Sequence, residues 1–505
     1  MDFHPNTEAF CQAYRSNKAQ VVYRQILADT QTTISALLKI GAETPYTSLF
    51  ESVEGGETLG RYSFIALAPD LIWKREGGQT LINRQAATSL TDFELEPDQS
   101  RNPLDSLAAL HRQAQIDLPD DLPPMSAGLV GFFGYDTVRH IEHLPTTNPD
   151  VLNMPEAVFM RPTMTAVFDR VKDLITLVSP VYPSKDLDAH GAYQAATQRI
   201  AALMDRLERP LPASAAHISE AELPAPTSNI PPDAYMELVN RAKDYIAAGD
   251  IFQVVLAQRF SSPYDLSAFS LYRSLRRMNP SPFLFYLNFD GFSLVGSSPE
   301  ILVRSREGRV TVRPIAGTRP RGADTAADRA LADELLADPK ECAEHLMLLD
   351  LGRNDVGRVA EIGSVTVTDQ FFVELYSHVM HIVSNVEGDL RPGLSAIDAM
   401  KAGFPAGTVS GAPKVRAMEI IDEFEPDLRG PYAGAVGYLA ANGDMDTCIT
   451  LRTGLVKDGM LHVQAGAGIV ADSVPEMEQA ECENKAKALF RAAQDSYRYA
   501  TTGSN

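Results

Sequence analysis

Asn-Gly and Asp-Gly pairs between strand-like runs are the feature that most constrains the fold of this chain. They occur at Asp290-Gly291, Asn442-Gly443 and Asp458-Gly459, each between two runs rich in branched and aromatic residues. Such pairs favour the tight turns that join neighbouring antiparallel strands. Helical patterns, such as the amphipathic run 233–248 with Asp233 as its expected cap, lie between the hairpins. This part of the sequence therefore predicts an α+β fold with much antiparallel sheet.

Residues 209–232 form the clearest boundary in the chain. They contain six prolines, many small residues and little large apolar content, which is typical of a connecting segment. The segment separates residues 1–208, which carry mixed helix-like and strand-like patterns, from residues 233–500. We expect two regions joined there, although such a connection need not separate independent folding units.

Composition and charge exclude several classes of function. The chain has 505 residues, enough for two to four domain-sized units, and a net charge of −21, which argues against general nucleic-acid binding. No apolar run reaches membrane-spanning length, and the polar N-terminus does not resemble a secretion signal. The four cysteines are scattered without metal-ligand spacing, so we expect a reducing, cytoplasmic location.

One acidic helix is predicted over residues 338–352, with Asp338 as its N-cap and Gly352 as its stop. Glu341 and Glu344 are three residues apart, so both side chains project from one face. A carboxylate pair of this kind suits Mg²⁺, which prefers oxygen ligands. Taken alone, such a pair is more often a solvated helix face than a metal site.

A second acidic helix repeats this arrangement after a cap supplied by Ser473 or Asp472. Glu478, Glu481 and Lys485 fall at i, i+3 and i+7, which is one stripe of an α-helix. If the two helices face each other, their carboxylates repel, and a divalent cation would relieve that repulsion. Together the helices predict a shared Mg²⁺ site.

Five motifs in order resemble the chorismate-utilising enzymes, and most closely their anthranilate synthase component I branch. The motifs are 314–322 (Pro-Ile-Ala-Gly-Thr-Arg-Pro-Arg-Gly), 341–355, 410–414 (Ser-Gly-Ala-Pro-Lys), 464–468 (Gln-Ala-Gly-Ala-Gly) and 478–485. The resemblance covers most of the chain and is strongest after the Pro-rich connection. It implies an α+β fold with two large antiparallel β-sheets packed as a sandwich, helices outside, and an N-terminal α/β regulatory portion.

The resemblance also divides the chain by role. It implies that residues 1–208 contribute to the sheets and hold part of a tryptophan site, and that residues 233–500 form the chorismate-binding catalytic region. The implied reaction is the Mg²⁺-dependent amination of chorismate with ammonia, followed by elimination of pyruvate to give anthranilate. This is the first step of tryptophan biosynthesis.

Binding roles follow from the same motifs. The implied metal ligands are Glu341, Glu344, Glu478 and Glu481. The implied substrate-binding residues are Gly317, Thr318, Thr408, Tyr432, Arg452, Gly466, Gly468 and Lys485. Arg452 and Tyr432 would hold one substrate carboxylate, beside backbone N–H groups near Gly468.

Acid–base roles are implied for two residues. Glu300, in Gly296-Ser297-Ser298-Pro299-Glu300, would protonate the departing 4-hydroxyl, and His381 is tied to removal of the C2 proton. A lone histidine in an apolar strand is otherwise more often a core residue. Gln253 and Thr318 complete the implied catalytic set.

Two positions distinguish among the relatives. Ala316 stands where aminodeoxychorismate synthases usually carry a nucleophilic lysine, which argues against 4-aminobenzoate synthesis. Gln253 stands where isochorismate and salicylate synthases carry a lysine that activates water, so it leaves a pocket suited to ammonia. An aminodeoxyisochorismate synthase that stops before elimination, or a non-catalytic amino-acid-binding regulatory subunit, remains an alternative.

A partner and a regulator are implied as well. The four cysteines lack the Gly-x-Cys-x-Gly setting of a glutaminase nucleophile, so we expect a separate class I glutamine amidotransferase subunit in a hetero-oligomer. Tryptophan is the implied feedback inhibitor, and Glu51 is expected to meet its ammonium group. The implied inhibitor site consists of Leu49, Glu51, Ser52, Pro282, Phe283, Leu284, Val436, Gly437 and Tyr438.

Overall fold

The computed structural model describes residues 2–54, 58–145, 148–212, 222–376 and 379–499. The helices within these ranges are α1 (Thr7–Arg15), α2 (Thr33–Ile40), α3 (Pro103–Gln113), α4 (Ala189–Glu208), α5 (Pro232–Ala247), α6 (Ala268–Met278), α7 (Thr325–Ala337), α8 (Pro339–Gly357), α9 (Ala396–Gly403), α10 (Lys414–Phe424) and α11 (Pro475–Ser496). Helices and antiparallel strands are interspersed, so the predicted α+β class is confirmed.

Most of the strands belong to one hydrogen-bonded network. The strands are β1 (Gln20–Leu27), β2 (Thr47–Glu51), β3 (Val53–Glu54), β4 (Thr58–Leu59), β5 (Tyr62–Glu76), β6 (Gln79–Asn83), β7 (Glu94–Leu95), β8 (Gly128–Phe133), β9 (Ala157–Asp169), β10 (Leu174–Val181), β11 (Thr227–Ser228), β12 (Gln253–Pro263), β13 (Phe283–Asn288), β14 (Phe292–Ser298), β15 (Ile301–Arg306), β16 (Arg309–Val312), β17 (Ile315–Pro320), β18 (Thr366–Leu375), β19 (Val379–Asp389), β20 (Gly411–Ala412), β21 (Ala435–Ala440), β22 (Met445–Ile449), β23 (Thr453–Lys457) and β24 (Met460–Ile469). Only the short β3–β4 pair stands apart among the strands described.

Two arms leave the long strand pair β5–β9. One arm runs β5–β2–β13–β14–β23–β24–β12. The other runs β9–β8–β21–β22–β15–β16–β19, with β17 and β18 also paired to β19. Packing of two sheets as a sandwich stays a prediction.

The predicted hairpin turns are all present. The pairs β13–β14, β21–β22 and β23–β24 are antiparallel and enclose Asp290-Gly291, Asn442-Gly443 and Asp458-Gly459 respectively. Their glycines have φ values of 87°, 94° and 72°, a region that L side chains rarely adopt. Local turn chemistry therefore fixed these three connections.

Strand pairing also crosses the Pro-rich connection. Strands β2 and β8 from the first region pair with β13 and β21 from the second. The described pairings inside the first region are antiparallel, so the predicted α/β character is wrong in that respect, and helices accompany antiparallel strands. The domain boundaries stay a prediction, and residues 213–221 of the connection lie outside the described residues.

Helix ends differ from prediction in detail. Asp338 caps α8 by accepting from the backbone N–H groups of Lys340 and Glu341, but the helix continues past Gly352, which does not adopt the positive φ of a terminator. Helix α11 starts after Val474 without a side-chain cap, so capping by Ser473 or Asp472 is wrong. Helix α5 likewise starts after Pro231, and Asp233 lies inside its first turn. Within the described ranges, no helix is long and apolar enough to cross a membrane.

Candidate active site

Acidic side chains of α8 and α11 come close enough to influence one another. Lys340 Nζ lies 2.8 Å from Asp472 Oδ2 and so ties the start of α8 to the loop before α11. Burial raises the pKa of Glu344, and the charges of Glu341 and Glu481 raise it further, against a hydrogen bond from Gln253. The two acidic faces therefore point toward a common region.

Glu478, the fourth acid, is also close to another carboxylate. Burial raises the pKa of Glu478, and the charge of Glu481 adds to that effect. Glu481 pairs with Lys485 at 2.8 Å, and Glu341 pairs with Arg319 at 3.0 Å. Across the described ranges, no group of three His, Cys, Asp or Glu side chains is already gathered at metal-binding distances.

The donor set nevertheless fits a divalent cation. Gln253 Nε2 donates to Glu344 Oε1 at 3.0 Å, whereas the buried Oε1 of Gln253 has no partner in the structure described. Carboxylates with raised pKa values beside an unsatisfied amide oxygen form an oxygen-rich, electronegative surrounding. Such surroundings favour Mg²⁺, which takes oxygen ligands and keeps several waters.

A cavity of about 580 Å³ lies beside α11, within the usual range for small-ligand sites. Arg452, Glu481 and Lys485 contribute charged groups to its wall. In the part of the chain that the structure describes, no carboxylate pairs with Arg452, whose pKa burial lowers. A half-buried cation that pairs with no carboxylate is a suitable contact for an anionic ligand.

Two glycines of β24 let neighbouring side chains approach the backbone of that strand closely. A Cβ at Gly468 would lie 2.7 Å from Gln253 Nε2, and one at Gly466 would lie 2.9 Å from the Tyr432 hydroxyl. Lys485 Nζ donates to the Gly466 carbonyl at 2.8 Å. Tyr432 itself lines a separate void of about 20 Å³ rather than the larger cavity.

His381 is oriented by the neighbouring strand β17. Its Nδ1 lies 2.9 Å from the Gly317 carbonyl and 3.1 Å from Thr318 Oγ1. Because a carbonyl only accepts, Nδ1 carries the proton and Nε2 keeps its lone pair. Burial lowers the pKa of His381 to about 4, so the ring is neutral at physiological pH.

Glu300 is paired with Thr408, whose hydroxyl lies 3.1 Å from both carboxylate oxygens. Burial raises the pKa of Glu300 to about 8, and the hydrogen bond from Thr408 opposes this shift. Both residues line a void of about 20 Å³, apart from the 580 Å³ cavity. The structure therefore brings Glu300 and Thr408 together but does not open them to the larger cavity.

A second large cavity, of about 750 Å³, gathers the predicted inhibitor residues and is called here the inhibitor cavity. Eight of the nine line it: Glu51, Ser52, Pro282, Phe283, Leu284, Val436, Gly437 and Tyr438. Leu49 is fully buried and does not line it. Pairing of β2 with β13 places Glu51 opposite Leu284, which joins two of these segments.

Glu51 does not have the expected orientation. Its carboxylate accepts from the Thr33 hydroxyl at 2.7 Å, the Tyr272 hydroxyl at 2.7 Å and Arg170 at 3.1 Å, and it forms a two-pronged pair with Arg276. Its side chain has no exposed surface. The predicted contact with a ligand ammonium is therefore corrected, because the buried carboxylate is already saturated by these four partners.

Two residues near the site were not predicted from the sequence to have a role there. Arg319 contacts Glu341, Glu334 and Asp338, although its place in motif 314–322 was a usable signal. Tyr376 packs its ring edge-on against His381 at 5.3 Å. No local pattern pointed to Tyr376, since the two cavities that it lines are assembled from distant segments of the chain.

Comparison with known proteins agrees with this geometry. Residues 68–491 match the family model described as chorismate binding enzyme. The chain belongs to the chorismate-binding enzymes. It is 52% identical over 498 residues to anthranilate synthase component 1 of Cereibacter sphaeroides, covering 99% of each chain. It is 48% identical over 473 residues to the protein of that name from Pseudomonas aeruginosa, covering 93% of this chain and 94% of that one.

Solved structures give the same result. Anthranilate synthase component I from Streptococcus pneumoniae TIGR4 matches with 38% identity and a TM-score of 0.74, over 86% of this chain and 92% of that chain. The menaquinone-specific isochorismate synthase from Escherichia coli matches with a TM-score of 0.70 at 20% identity, over 97% and 99%, which shows a shared fold alone. The resemblance predicted from the sequence motifs is thereby confirmed.

Proposed function

We propose that this chain is the large subunit of an anthranilate synthase. It aminates chorismate with ammonia and eliminates pyruvate to give anthranilate, a carbon–oxygen lyase reaction at the start of tryptophan biosynthesis. The observation that carries the proposal is that the charge of Glu481 on α11 helps to raise the pKa of Glu344 on α8, beside a cavity that contains Arg452. Near-full-length similarity to anthranilate synthase component 1 proteins supports it.

The metal binds at the acidic end of the site, and one substrate carboxylate binds at the end that holds Arg452. Glu341, Glu344, Glu478 and Glu481 would hold Mg²⁺, which when bound supplies positive charge that neutralises and polarises the ring carboxylate. Arg452 binds the other carboxylate with a two-pronged donor, supported by Tyr432 and by backbone N–H groups at Gly466 and Gly468. Lys485 adds positive charge near Glu481.

Proton transfers are assigned to Glu300 and His381. With a pKa of about 8, Glu300 is protonated at neutral pH and can give its proton to the departing 4-hydroxyl oxygen. His381 accepts the C2 proton at Nε2, because Nδ1 is held by the Gly317 carbonyl. Thr318 steadies the same ring, and Gln253 offers an amide oxygen rather than a base to the incoming ammonia.

Supply of ammonia and control of the reaction complete the proposal. Ammonia comes from a separate class I glutamine amidotransferase in a cytoplasmic hetero-oligomer. Tryptophan binds in the inhibitor cavity, to which residues 1–208 contribute Glu51 and Ser52 while residues 233–500 carry the catalytic set. The backbone, rather than the carboxylate, of Glu51 faces that ligand.

The test is an assay of the isolated chain with chorismate, Mg²⁺ and an ammonium salt, with and without tryptophan. We expect fluorescent anthranilate and pyruvate in equal amounts, loss of activity on chelation of the metal, and inhibition by tryptophan. A product that retains its pyruvyl group would instead indicate an aminodeoxyisochorismate synthase. Binding of tryptophan with no consumption of chorismate would indicate a regulatory subunit.

A further inference from the structure

Tyr376 is a wall residue of both large cavities. It lines the 580 Å³ cavity together with Arg452 and Lys485, and it also lines the inhibitor cavity together with Glu374 and Arg313. The side chain of Tyr376 therefore borders both the proposed substrate site and the proposed tryptophan site.

The hydroxyl of Tyr376 contacts a group of the inhibitor cavity, and its ring contacts His381, the proposed base. Its hydroxyl donates to Glu374 Oε2 at 2.9 Å, and the same oxygen pairs with Arg313 at 3.1 Å. Its ring meets the His381 ring edge-on, with 5.3 Å between centroids and an interplanar angle of 67°. A continuous chain of contacts thus runs from Arg313 in the inhibitor cavity to His381.

The backbone of Tyr376 is held in place while its side chain makes these contacts. Its N–H donates to the Val379 carbonyl at 2.8 Å, and its carbonyl accepts from Arg321 at 2.6 Å. Movement of the ring is therefore the available response to a change at Glu374. The two cavities also adjoin along segment 279–284, since residues 279–281 line one cavity and residues 282–284 line the other.

We propose that Tyr376 is a positioning residue that couples occupancy of the inhibitor cavity to the orientation of His381. The carboxylate and ammonium groups of a bound amino acid compete for Arg313 and Glu374, whose ion pair holds the Tyr376 hydroxyl. A change in that pair shifts the ring that packs on His381. This inference rests on the proposed function, because it assigns an amino-acid inhibitor to the cavity.

The experiment measures coupling between the two ligands. Tryptophan affinity is determined by titration calorimetry on the full chain with Mg²⁺ and no ammonia source, in the absence and presence of saturating chorismate. The ratio of the two Kd values is the coupling factor, which linkage makes identical for either ligand. We expect a factor of about 5 or more for the wild type, which is the lower end of ordinary allosteric coupling.

Variants locate the coupling. Y376F keeps the ring against His381 but loses the hydroxyl bond, and E374Q weakens the same bond from its other end. We expect both variants to lower the coupling factor at least threefold, and the double variant to match the singles because they break one interaction. Y245F is the matched control, since it also removes a tyrosine hydroxyl that donates to a glutamate (Glu423 Oε2, 2.8 Å). Tyr245 lines neither cavity, so its coupling factor should equal that of the wild type.

The outcomes are separable. A wild-type coupling factor retained by Y376F and E374Q overturns the role of Tyr376 and leaves the proposed function intact. An equal loss in Y245F also overturns it, because loss of an unrelated tyrosine–glutamate hydrogen bond would then suffice. A wild type that binds no tryptophan overturns the regulatory part of the proposed function, and the coupling role of Tyr376 with it.

Discussion

Gln253 Nε2 lies 3.0 Å from Glu344 Oε1, so strand β12 is joined directly to helix α8 at the centre of the candidate site. The other amide atom of Gln253, Oε1, is buried and accepts no hydrogen bond in the structure described. A buried acceptor without a donor costs about 1–3 kcal/mol, which a bound N–H group would recover. One side chain therefore fixes a proposed metal ligand and leaves an acceptor for the proposed nucleophile.

Replacing Glu344 by Gln should separate metal binding from folding. We expect kcat/KM to fall by about 100-fold or more, since a bound cation supplies several kcal/mol and about 1.4 kcal/mol corresponds to a factor of ten. The activity should also need more Mg²⁺. E334Q is the control, because Glu334 pairs with Arg319 nearby but is 62% exposed. An unaltered Mg²⁺ titration for E344Q would contradict the assignment.

The pH profile should report Glu300. Measured at a constant concentration of free NH₃, kcat/KM should fall above pH about 8, because the carboxyl whose pKa is raised to about 8 loses its proton. T408V removes a hydrogen bond that favours the charged form, so the falling limb should move upward by about 1–2 pH units. S410A, in the same turn, should leave the limb in place.

The same group predicts a pH dependence of stability. Burial raises the Glu300 pKa from 4.5 to about 8, so between these values the folded state holds a proton that the unfolded state has released. Its stabilising contribution is complete below about 4.5 and is lost as the pH rises through about 8. Urea unfolding at several pH values should show this slope in the wild type and a smaller one in E300Q.

His381 should be needed for only one of the two half-reactions. H381N keeps a donor toward the Gly317 carbonyl but removes the Nε2 lone pair, so amination should continue while elimination fails. Mass spectrometry should then detect an aminated product that retains its pyruvyl group, with little anthranilate fluorescence. The control is H462N, since His462 is a half-buried histidine whose pKa is likewise lowered to about 4, but its Nδ1 contacts Ser261 rather than strand β17.

We expect Glu51 to contribute mainly to the stability of the fold. E51Q leaves Arg276 and Arg170 without their buried counter-charge, which should cost about 3–5 kcal/mol of the free energy of unfolding. Its pKa is lowered by Arg276 despite burial, so the stabilisation is lost only as the pH falls below the ordinary glutamate range. D250N removes an exposed partner of Arg416 and should cost less than about 1 kcal/mol in the same urea unfolding experiment.

Features set by neighbouring residues were predictable from the sequence. The three hairpins could be predicted, because each turn depends only on a glycine that adopts a positive φ within the turn itself, as in Asp290-Gly291. The acidic stripes of α8 and α11 follow from helical spacing alone. The helix starts were less predictable, since Val474 rather than Ser473 precedes α11.

Features set by distant parts of the chain were not predictable. The Glu51 carboxylate turns toward Thr33, Tyr272 and Arg276, which belong to α2 and α6, and no local pattern indicates that choice. Tyr376 lies between two cavities because β18 and β19 meet strands from elsewhere in the network. The motif resemblance identified the residues of these sites, but only the tertiary packing fixes where their side chains point.

The interleaving of early and late strands has a consequence for biosynthesis. Strand β8 emerges from the ribosome roughly 300 residues before its partner β21, and β2 similarly precedes β13. Until β21 has been made, one edge of β8 has no strand partner, which makes the nascent first region prone to self-association and a natural client for chaperones.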